Sequence, residues 1–241
     1  MIIACNQPNY IPWYPYFHLI KSVDKFFLLD VVKAGKKNFI VRNKILDKNN
    51  KEVWLTIPLK KEEKYKNICH TYIDENFKEK HLELILNCYG KYLEKDLKKI
   101  ITDIYHFDSS NLHQFNTNII KTICSFLKIK TKVILVSEYL NKNKIIFKDV
   151  KTLLKEILIK EKCKYYLNFK NGIEKKIPPY DDLSFFKKNK IKLLKQNPDY
   201  CIYNEEYKHS IFNLLVKKIK LPERKIFYEF KLSKVVKLTD K

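Results

Sequence analysis

The sequence predicts an α/β fold with a mostly parallel sheet and flanking helices, and three observations support this prediction. Residues 1–5 form a short apolar run suited to a buried strand, and a proline-rich turn follows it. Residues 16–23 are predicted to form a helix, and the apolar run 25–29 closes on Asp30. A strand, a turn, a helix and a second strand ending in an acid form the start of an α/β unit, in which ligands bind beyond the carboxyl ends of the strands.

The rest of the chain continues this alternation of short apolar runs and longer segments with helical periodicity. Pro58 ends a strand predicted at 53–57, and Asp149 can cap a helix predicted to run to about residue 162. The other predicted elements are a long helix at 78–105, a helix at 112–127, strands at 132–136 and 163–167, a loop at 168–179, and shorter helices at 181–189 and 209–220.

The domain organisation is predicted to be simple, because the chain shows no internal repeat and no low-complexity linker. We predict one α/β domain over residues 1–222, followed by a C-terminal extension at 223–241. Within this extension, residues 225–232 alternate apolar and mixed side chains, so the extension is expected to add an edge strand to the sheet.

The composition excludes several common kinds of site. The six cysteines contain no Cys-x-x-Cys pair and the six histidines no His-x-x-x-His pair, so no metal site is predicted. With three glycines, the chain has no Gly-x-Gly-x-x-Gly fingerprint and no Walker loop, so a nucleotide would be held by side chains and a helix amino terminus. No apolar stretch reaches about 18 residues and no signal peptide is recognisable, so a cytoplasmic protein without membrane insertion is expected.

The formal net charge of +22 raises nucleic-acid binding as a hypothesis, because Lys and Arg neutralise phosphates. However, only Arg42 and Arg224 are arginines, the residue better suited to bidentate recognition. The lysines are spread along the whole chain together with many Ile, Asn and Tyr residues, a pattern that AT-rich codon usage produces on its own. Nucleic acid is therefore the less favoured partner and is kept as an alternative.

The most distinctive segment is residues 6–17, which combines amide side chains, prolines and aromatic rings in a turn after the first strand. Prolines fix φ and remove backbone donors, so this turn is stiff. A stiff turn of this composition is suited to holding a polar ligand against an aromatic wall. The alternative is a proline–aromatic corner that only closes the end of the sheet.

The turn contains Gln7-Pro8-Asn9-Tyr10-Ile11-Pro12-Trp13, and three further motifs follow at 29–33, 42–45 and 54–58. Together they resemble the WbqC-like family of bacterial proteins. The family opens with a strand followed by His-Gln-Pro-Asn-Tyr-(Leu/Ile)-Pro-Trp and a Gly-Tyr-Phe segment. Its later motifs are Leu-Asp-Asp-Val-Gln, Arg-Asn-(Arg/Lys)-Ile and Trp-Leu-Thr-(Val/Ile)-Pro, with counterparts here at 29–33, 42–45 and 54–58. The resemblance is expected to extend over residues 1 to about 220. The matching residues of the turn are Gln7, Pro8, Asn9, Tyr10, Ile11, Pro12, Trp13, Tyr16 and Phe17.

Two departures from the family pattern matter for the chemistry. The leading histidine of the family is Asn6 in this chain, and the second aspartate is Val31. Asn6 can keep a hydrogen bond, but it can neither titrate nor carry charge.

The resemblance implies a role in the biosynthesis of lipopolysaccharide O-antigen or capsule, with which genes of this family are typically associated. The family has also been linked with the substitution of amino sugars by amino acids. By analogy with Rossmann-like nucleotide-binding folds, we expect a transferase or ligase acting on a nucleotide-linked amino sugar. It would attach an acyl or aminoacyl group, such as glycyl, to the sugar amine. The expected co-substrate is ATP or an activated acyl or aminoacyl donor.

The candidate catalytic residues under this interpretation are Asp30, Arg42 and Asn6. Asp30 would orient the attacking amine or accept its proton, and Arg42 would bind a phosphate or carboxylate bidentately. The alternatives are a cap or turn role for Asp30 and a structural ion pair for Arg42. The candidate substrate-binding residues are Gln7, Asn9, Tyr10, Trp13, Tyr16, Asn43, Lys44 and Trp54.

Two competing functional classes stay open at this point. One is a non-catalytic protein that binds a sugar nucleotide, in which the histidine has been lost from the turn. The other is a nucleic-acid-binding protein that uses its lysine-rich surface.

Overall fold

The computed structural model describes residues 1–34, 38–60, 66–169, 182–196 and 209–218, together with two short strands at 227–230 and 235–238. The strands of these described residues are β1 (Ile2–Asn6), β2 (Lys25–Leu28), β3 (Arg42–Leu46), β4 (Glu52–Thr56), β5 (Lys132–Leu135), β6 (Tyr165–Phe169), β7 (Lys192–Gln196), β8 (Phe227–Phe230) and β9 (Val235–Leu238). The helices are α1 (Tyr14–Lys21), α2 (Phe77–Tyr89), α3 (Lys95–Tyr105), α4 (Leu112–Phe126), α5 (Val136–Asn143), α6 (Val150–Lys160), α7 (Leu183–Lys188) and α8 (Ile211–Val216).

The main sheet has the strand order β5-β2-β1-β6-β7-β8-β9, and its first five strands are parallel. Counted along the chain, these five parallel strands follow the order 3-2-1-4-5. In doubly wound sheets this order reverses between the first and fourth strands, and ligands bind beyond the carboxyl ends of the strands at that switch point. Here β1 and β6 flank the switch point.

The core lies on both faces of the sheet. Along β1, Ala4 packs with the helices α1 to α4 on one face, whereas Ile3 and Cys5 pack with α5, α6 and α7 on the other. This alternation follows from the two-residue period of a strand, and it explains why the central strands are apolar at consecutive positions. The predicted fold class, a mostly parallel sheet with flanking helices, is confirmed; nucleotide binding by this fold stays a prediction.

One predicted helix is divided in the structure. The long helix predicted at 78–105 is wrong, because α2 ends at Tyr89 and a short 3-10 turn, Gly90–Tyr92, separates it from α3. Gly90 is a weak helix former and Leu93 has an extended backbone, so the chain turns and α3 packs back on α2.

The predicted C-terminal strand is present as β8, which pairs antiparallel with β7. It does not form the edge, because β9 pairs with its other side. The division into residues 1–222 and 223–241 stays a prediction. The loop predicted at 168–179 is wrong at Asn168 and Phe169, which belong to β6, and its other residues lie outside the described part of the chain.

Candidate functional site

The turn after β1 is fixed by two buried asparagines from later in the chain. The Asn116 side-chain amide donates to the carbonyl oxygens of Pro8 and Ile40, both at 2.8 Å. The Asn43 amide donates to the carbonyl oxygen of Ile11 at 2.7 Å. Ile11 has a φ of 40°, an uncommon conformation for a β-branched residue, and these bonds hold it in place.

Three predicted substrate-binding residues lie inside the protein. The Tyr10 hydroxyl is fully buried, 2.7 Å from Nδ1 of His81 and 2.6 Å from the hydroxyl of Tyr105. The Tyr16 hydroxyl donates to the carbonyl oxygen of Gln7 at 2.7 Å, and burial raises the pKa of both Tyr10 and Tyr16 well above the ordinary tyrosine value. Because Tyr10, Tyr16 and Asn43 are occupied by bonds within the chain, we assign them to holding the turn and leave them out of the proposed site.

Other residues of the turn are half-buried at the carboxyl end of β1. The Asn6 side-chain oxygen accepts a hydrogen bond from the backbone N–H of Gln7 at 2.8 Å. Gln7, Asn9 and Trp13 are partly exposed, and the Trp13 ring lies 6.2 Å from the ring of Phe169 at the end of β6. These residues therefore stand beside the switch point between β1 and β6, where a ligand is expected to bind.

Arg42, Lys44 and Trp54 lie together on the hairpin formed by β3 and β4. The Arg42 guanidinium carbon is 4.4 Å from the centroid of the Trp54 ring, and the Lys44 ammonium is 4.9 Å from it. Lys44 also forms an ion pair with Glu52, and Trp54 is 44% exposed. The hairpin thus presents a cationic and aromatic patch at the surface.

Asp30 follows β2 and its side chain is completely buried. One carboxylate oxygen, Oδ1, accepts from the backbone N–H of Ser137 at 2.9 Å. The other, Oδ2, accepts from the Ser137 hydroxyl and lies 2.9 Å from Nδ1 of His113. Ser137 is at the amino end of α5, where free backbone N–H groups and the helix dipole favour a carboxylate.

His113 is positioned by the start of α4. The side chain of Asn111 caps this helix by accepting from the backbone N–H of His113 at 2.9 Å. Because an ionised carboxylate can only accept, Nδ1 of His113 must carry the proton that bonds to Asp30. The neutral imidazole then has its lone pair on Nε2, and Asp30 can stabilise the imidazolium that forms when Nε2 takes up a proton.

A cleft of about 390 Å³ opens beside His113. Its lining residues are Val31, Asn67, Cys69, His70, His113, Ser137, Leu140, Asn141 and Phe147. The arrangement differs from a serine triad, because Asp30 lies between Ser137 and His113 and both bond to it. The pair of Asp30 and His113 is instead suited to general-base chemistry on a group that enters the cleft.

The three predicted catalytic residues do not meet in one place. Neither Asn6 nor Arg42 lines the cleft beside Asp30. Arg42 stacks on Trp54 in the hairpin, and the Asn6 side chain bonds to the next residue of its own turn. We therefore retain Asp30 as the residue that positions His113 beside the cleft, and we place Arg42 and Asn6 among the candidate binding residues.

Sequence reasoning missed His113 and Ser137. They lie 83 and 107 residues from Asp30 along the chain, and no local motif joins them. One sequence signal could have placed His113 at the start of a helix. It lies two residues after Asn111, and asparagine often caps the amino end of a helix.

Metal ligation and membrane crossing find no support in the described residues. No group of three or more His, Cys, Asp or Glu among them could hold a metal ion. In the same part of the chain, no helix has both the length and the apolar character needed to cross a membrane. The described cysteines are free thiols, and Cys201 lies outside the described residues.

Comparisons with known proteins agree with the motifs of the turn. Residues 7–214 match the model of the WbqC-like protein family. The chain is also 30% identical over 137 residues to the uncharacterized protein Rv1507c of Mycobacterium tuberculosis, a match that covers 54% of this chain and 58% of that protein. The chain thus spans less than two thirds of that relative, and no solved structure matches. Because the family model covers most of its length, the chain belongs to the WbqC-like protein family, which suggests a biosynthetic role.

Proposed function

We propose that the protein is a transferase or ligase of surface-polysaccharide biosynthesis that acts on a nucleotide-linked amino sugar. It would attach an acyl or aminoacyl group, such as glycyl, to the amine of the sugar. The observation that carries this proposal is the Asp30–His113 pair, which is buried on the aspartate side and open to a cleft on the histidine side. The expected cytoplasmic location is part of the proposal.

The chemistry requires a base, because an amine that attacks an activated carboxyl group must lose a proton to become a neutral amide. In this proposal Nε2 of His113 accepts the proton of the amine, because Nδ1 bonds to Asp30. The buried carboxylate of Asp30 stabilises the imidazolium that results. The His113 side chain is 14% exposed, so few water molecules can compete with it for the proton of the amine. This histidine supplies the proton acceptor that Asn6 cannot supply.

The binding surface is proposed to run from the cleft to the turn after β1. Asn6, Gln7, Asn9 and Trp13 stand at the switch point, where the sugar nucleotide would be held by amide hydrogen bonds and a stacking face. The patch of Arg42, Lys44 and Trp54 offers cationic groups and a further aromatic face for phosphates or a base.

The direct test is to incubate the full chain with a nucleotide-linked amino sugar and either glycine plus ATP or an acyl thioester. Mass spectrometry of the sugar should show one added acyl group. His113→Gln should lower the rate by about 100- to 10,000-fold, the usual range for loss of a general base. His106→Gln is the matched control, because His106 is an exposed histidine away from the cleft, and it should act as wild type.

The outcomes separate the functional classes. An unchanged rate in His113→Gln would contradict the proposed role of the Asp30–His113 pair. Ligand-induced thermal stabilisation with no product would favour a non-catalytic sugar-nucleotide binding protein. Salt-dependent binding of duplex DNA that survives Arg42→Ala would favour the nucleic-acid alternative.

A further inference from the structure

Cys69 is the group in the cleft with the chemistry of a nucleophile. Among the described residues that line the cleft, the side chains with a hydroxyl or thiol are Ser137 and Cys69. The Ser137 hydroxyl is already committed as a donor to Asp30. Of the five described cysteines, Cys69 alone is not buried, whereas the others lie in the core. The thiol of Cys69 is therefore the candidate nucleophile in the cleft that His113 also lines.

Backbone and side-chain bonds hold Cys69 to the same frame as His113. The backbone N–H of Cys69 donates to the carbonyl oxygen of Asp30 at 2.8 Å. The Asn111 side chain donates to the carbonyl oxygen of Cys69 at 3.0 Å, and its oxygen caps the helix that carries His113. Asp30 and Asn111 thus each contact both the short 3-10 segment of Cys69 and the first turn of α4.

We propose that Cys69 carries the acyl group as a thioester between an activated donor and the acceptor amine, with His113 as the base for both steps. The inference rests on the proposed function and specifies its mechanism. The donor class is an activated acyl compound, such as a thioester or an acyl phosphate. Val31, Leu140 and Phe147 supply apolar walls for a small acyl chain.

The two half-reactions balance without an oxidant or reductant. In the first, Nε2 of His113 takes the proton of the Cys69 thiol, sulfur attacks the acyl carbon, and a C–S bond replaces the bond to the leaving group. The leaving group takes the proton from His113. In the second, the amine attacks the thioester, the amide bond forms as the C–S bond breaks, and His113 passes the amine proton to the departing sulfur.

The environment of Cys69 explains why a base is needed. Partial burial raises the pKa of the Cys69 thiol, and the negative charge of Asp30 raises it further. The resting side chain is therefore a protonated thiol and not a thiolate. In the proposed reaction His113, which lines the same cleft, removes this proton, as a base does for catalytic serine and cysteine nucleophiles in general.

The test uses the full chain and p-nitrophenyl acetate as an activated acyl donor. A stoichiometric burst of nitrophenolate is expected, and peptide mapping should place the acetyl group on Cys69. Cys69→Ala should lose the burst, and His113→Gln should slow it by about 100-fold or more. Cys88→Ala is the control and should keep the burst, because Cys88 is a buried cysteine of α2. A burst of wild-type size in folded Cys69→Ala would overturn the inference.

A second measurement separates this inference from the proposed function. If Cys69→Ala modifies the amino sugar at the wild-type rate, the thioester step is refuted and the proposed function stands. If Cys69 is acetylated but no nucleotide-linked amino sugar accepts the group, the thioester step is supported and the proposed acceptor is refuted. Thermal unfolding of each variant shows whether a lost activity reflects a lost fold.

Discussion

His81 is predicted to make the protein less stable in mild acid. Its Nδ1 lies 2.7 Å from the Tyr10 hydroxyl, and its ring lies 4.9 Å from the ring of Phe77 and 6.4 Å from that of Tyr105. Burial lowers the pKa of His81 from the ordinary 6.5 to about 4. The folded protein therefore keeps this imidazole neutral at a pH where the unfolded chain protonates it.

The sign and size follow from proton linkage. Because the folded pKa lies below the unfolded pKa, the unfolded chain binds the extra proton first as the pH falls. Stability is therefore fully present above about pH 6.5 and is lost as the pH falls towards 4. At about 1.4 kcal/mol for each pKa unit, the full loss is about 3 kcal/mol, and about 2 kcal/mol of it is expected between pH 7 and pH 5.

The assay is urea unfolding at pH 7 and pH 5, followed by tryptophan fluorescence. His81→Gln removes the titration and keeps a group that can accept from Tyr10, so the free energy of unfolding should change with pH by about 2 kcal/mol less than in wild type. His106→Gln, which alters an exposed histidine, should keep the wild-type dependence. Equal pH dependence in wild type and His81→Gln would refute the reasoning.

Three further predictions concern stability and use the same urea assay. Asn116→Leu should cost about 2–4 kcal/mol, because it leaves the buried carbonyl groups of Pro8 and Ile40 without their donors; a loss below about 1 kcal/mol would contradict this. Asn111→Ala should cost about 1–2 kcal/mol through loss of the cap of α4, and an unchanged midpoint would show that the cap is dispensable. Leu158→Ala opens a cavity at a fully buried position and should cost about 2–5 kcal/mol; a loss below about 1 kcal/mol would contradict this.

Local sequence signals predicted most elements of the fold because each depends on neighbours in the chain. The apolar runs at β1 and β2, the cap of α6 by Asp149 and the periodicity of α4 are all set within a few residues. The helix α5 was missed because it follows β5 without a loop, so the sequence carries no turn signal between them. The strands β3 and β7 were missed because lysines and other polar residues interrupt their apolar pattern.

The placement of Asp30 at the end of β2 could likewise be predicted, because the carboxyl ends of parallel strands share one edge of a sheet. Its partners could not be predicted. His113 and Ser137 reach it only because α4 and α5 both begin near that edge. The sequence also could not show that Arg42 stacks on Trp54, since this contact follows from the register of the β3–β4 hairpin.

The sequence by itself thus determined the family motifs, the α/β class and the residue types of the turn, since these depend on local pattern and composition. Only the tertiary structure decided which polar groups share a cleft and which form hydrogen bonds inside the protein. Tyr10, Tyr16 and Asn43 have the chemistry of ligand-binding residues, yet each is held by hydrogen bonds within the chain. The physical reason is that a buried polar group must find a partner, and long-range packing alone settles whether that partner is the protein or a ligand.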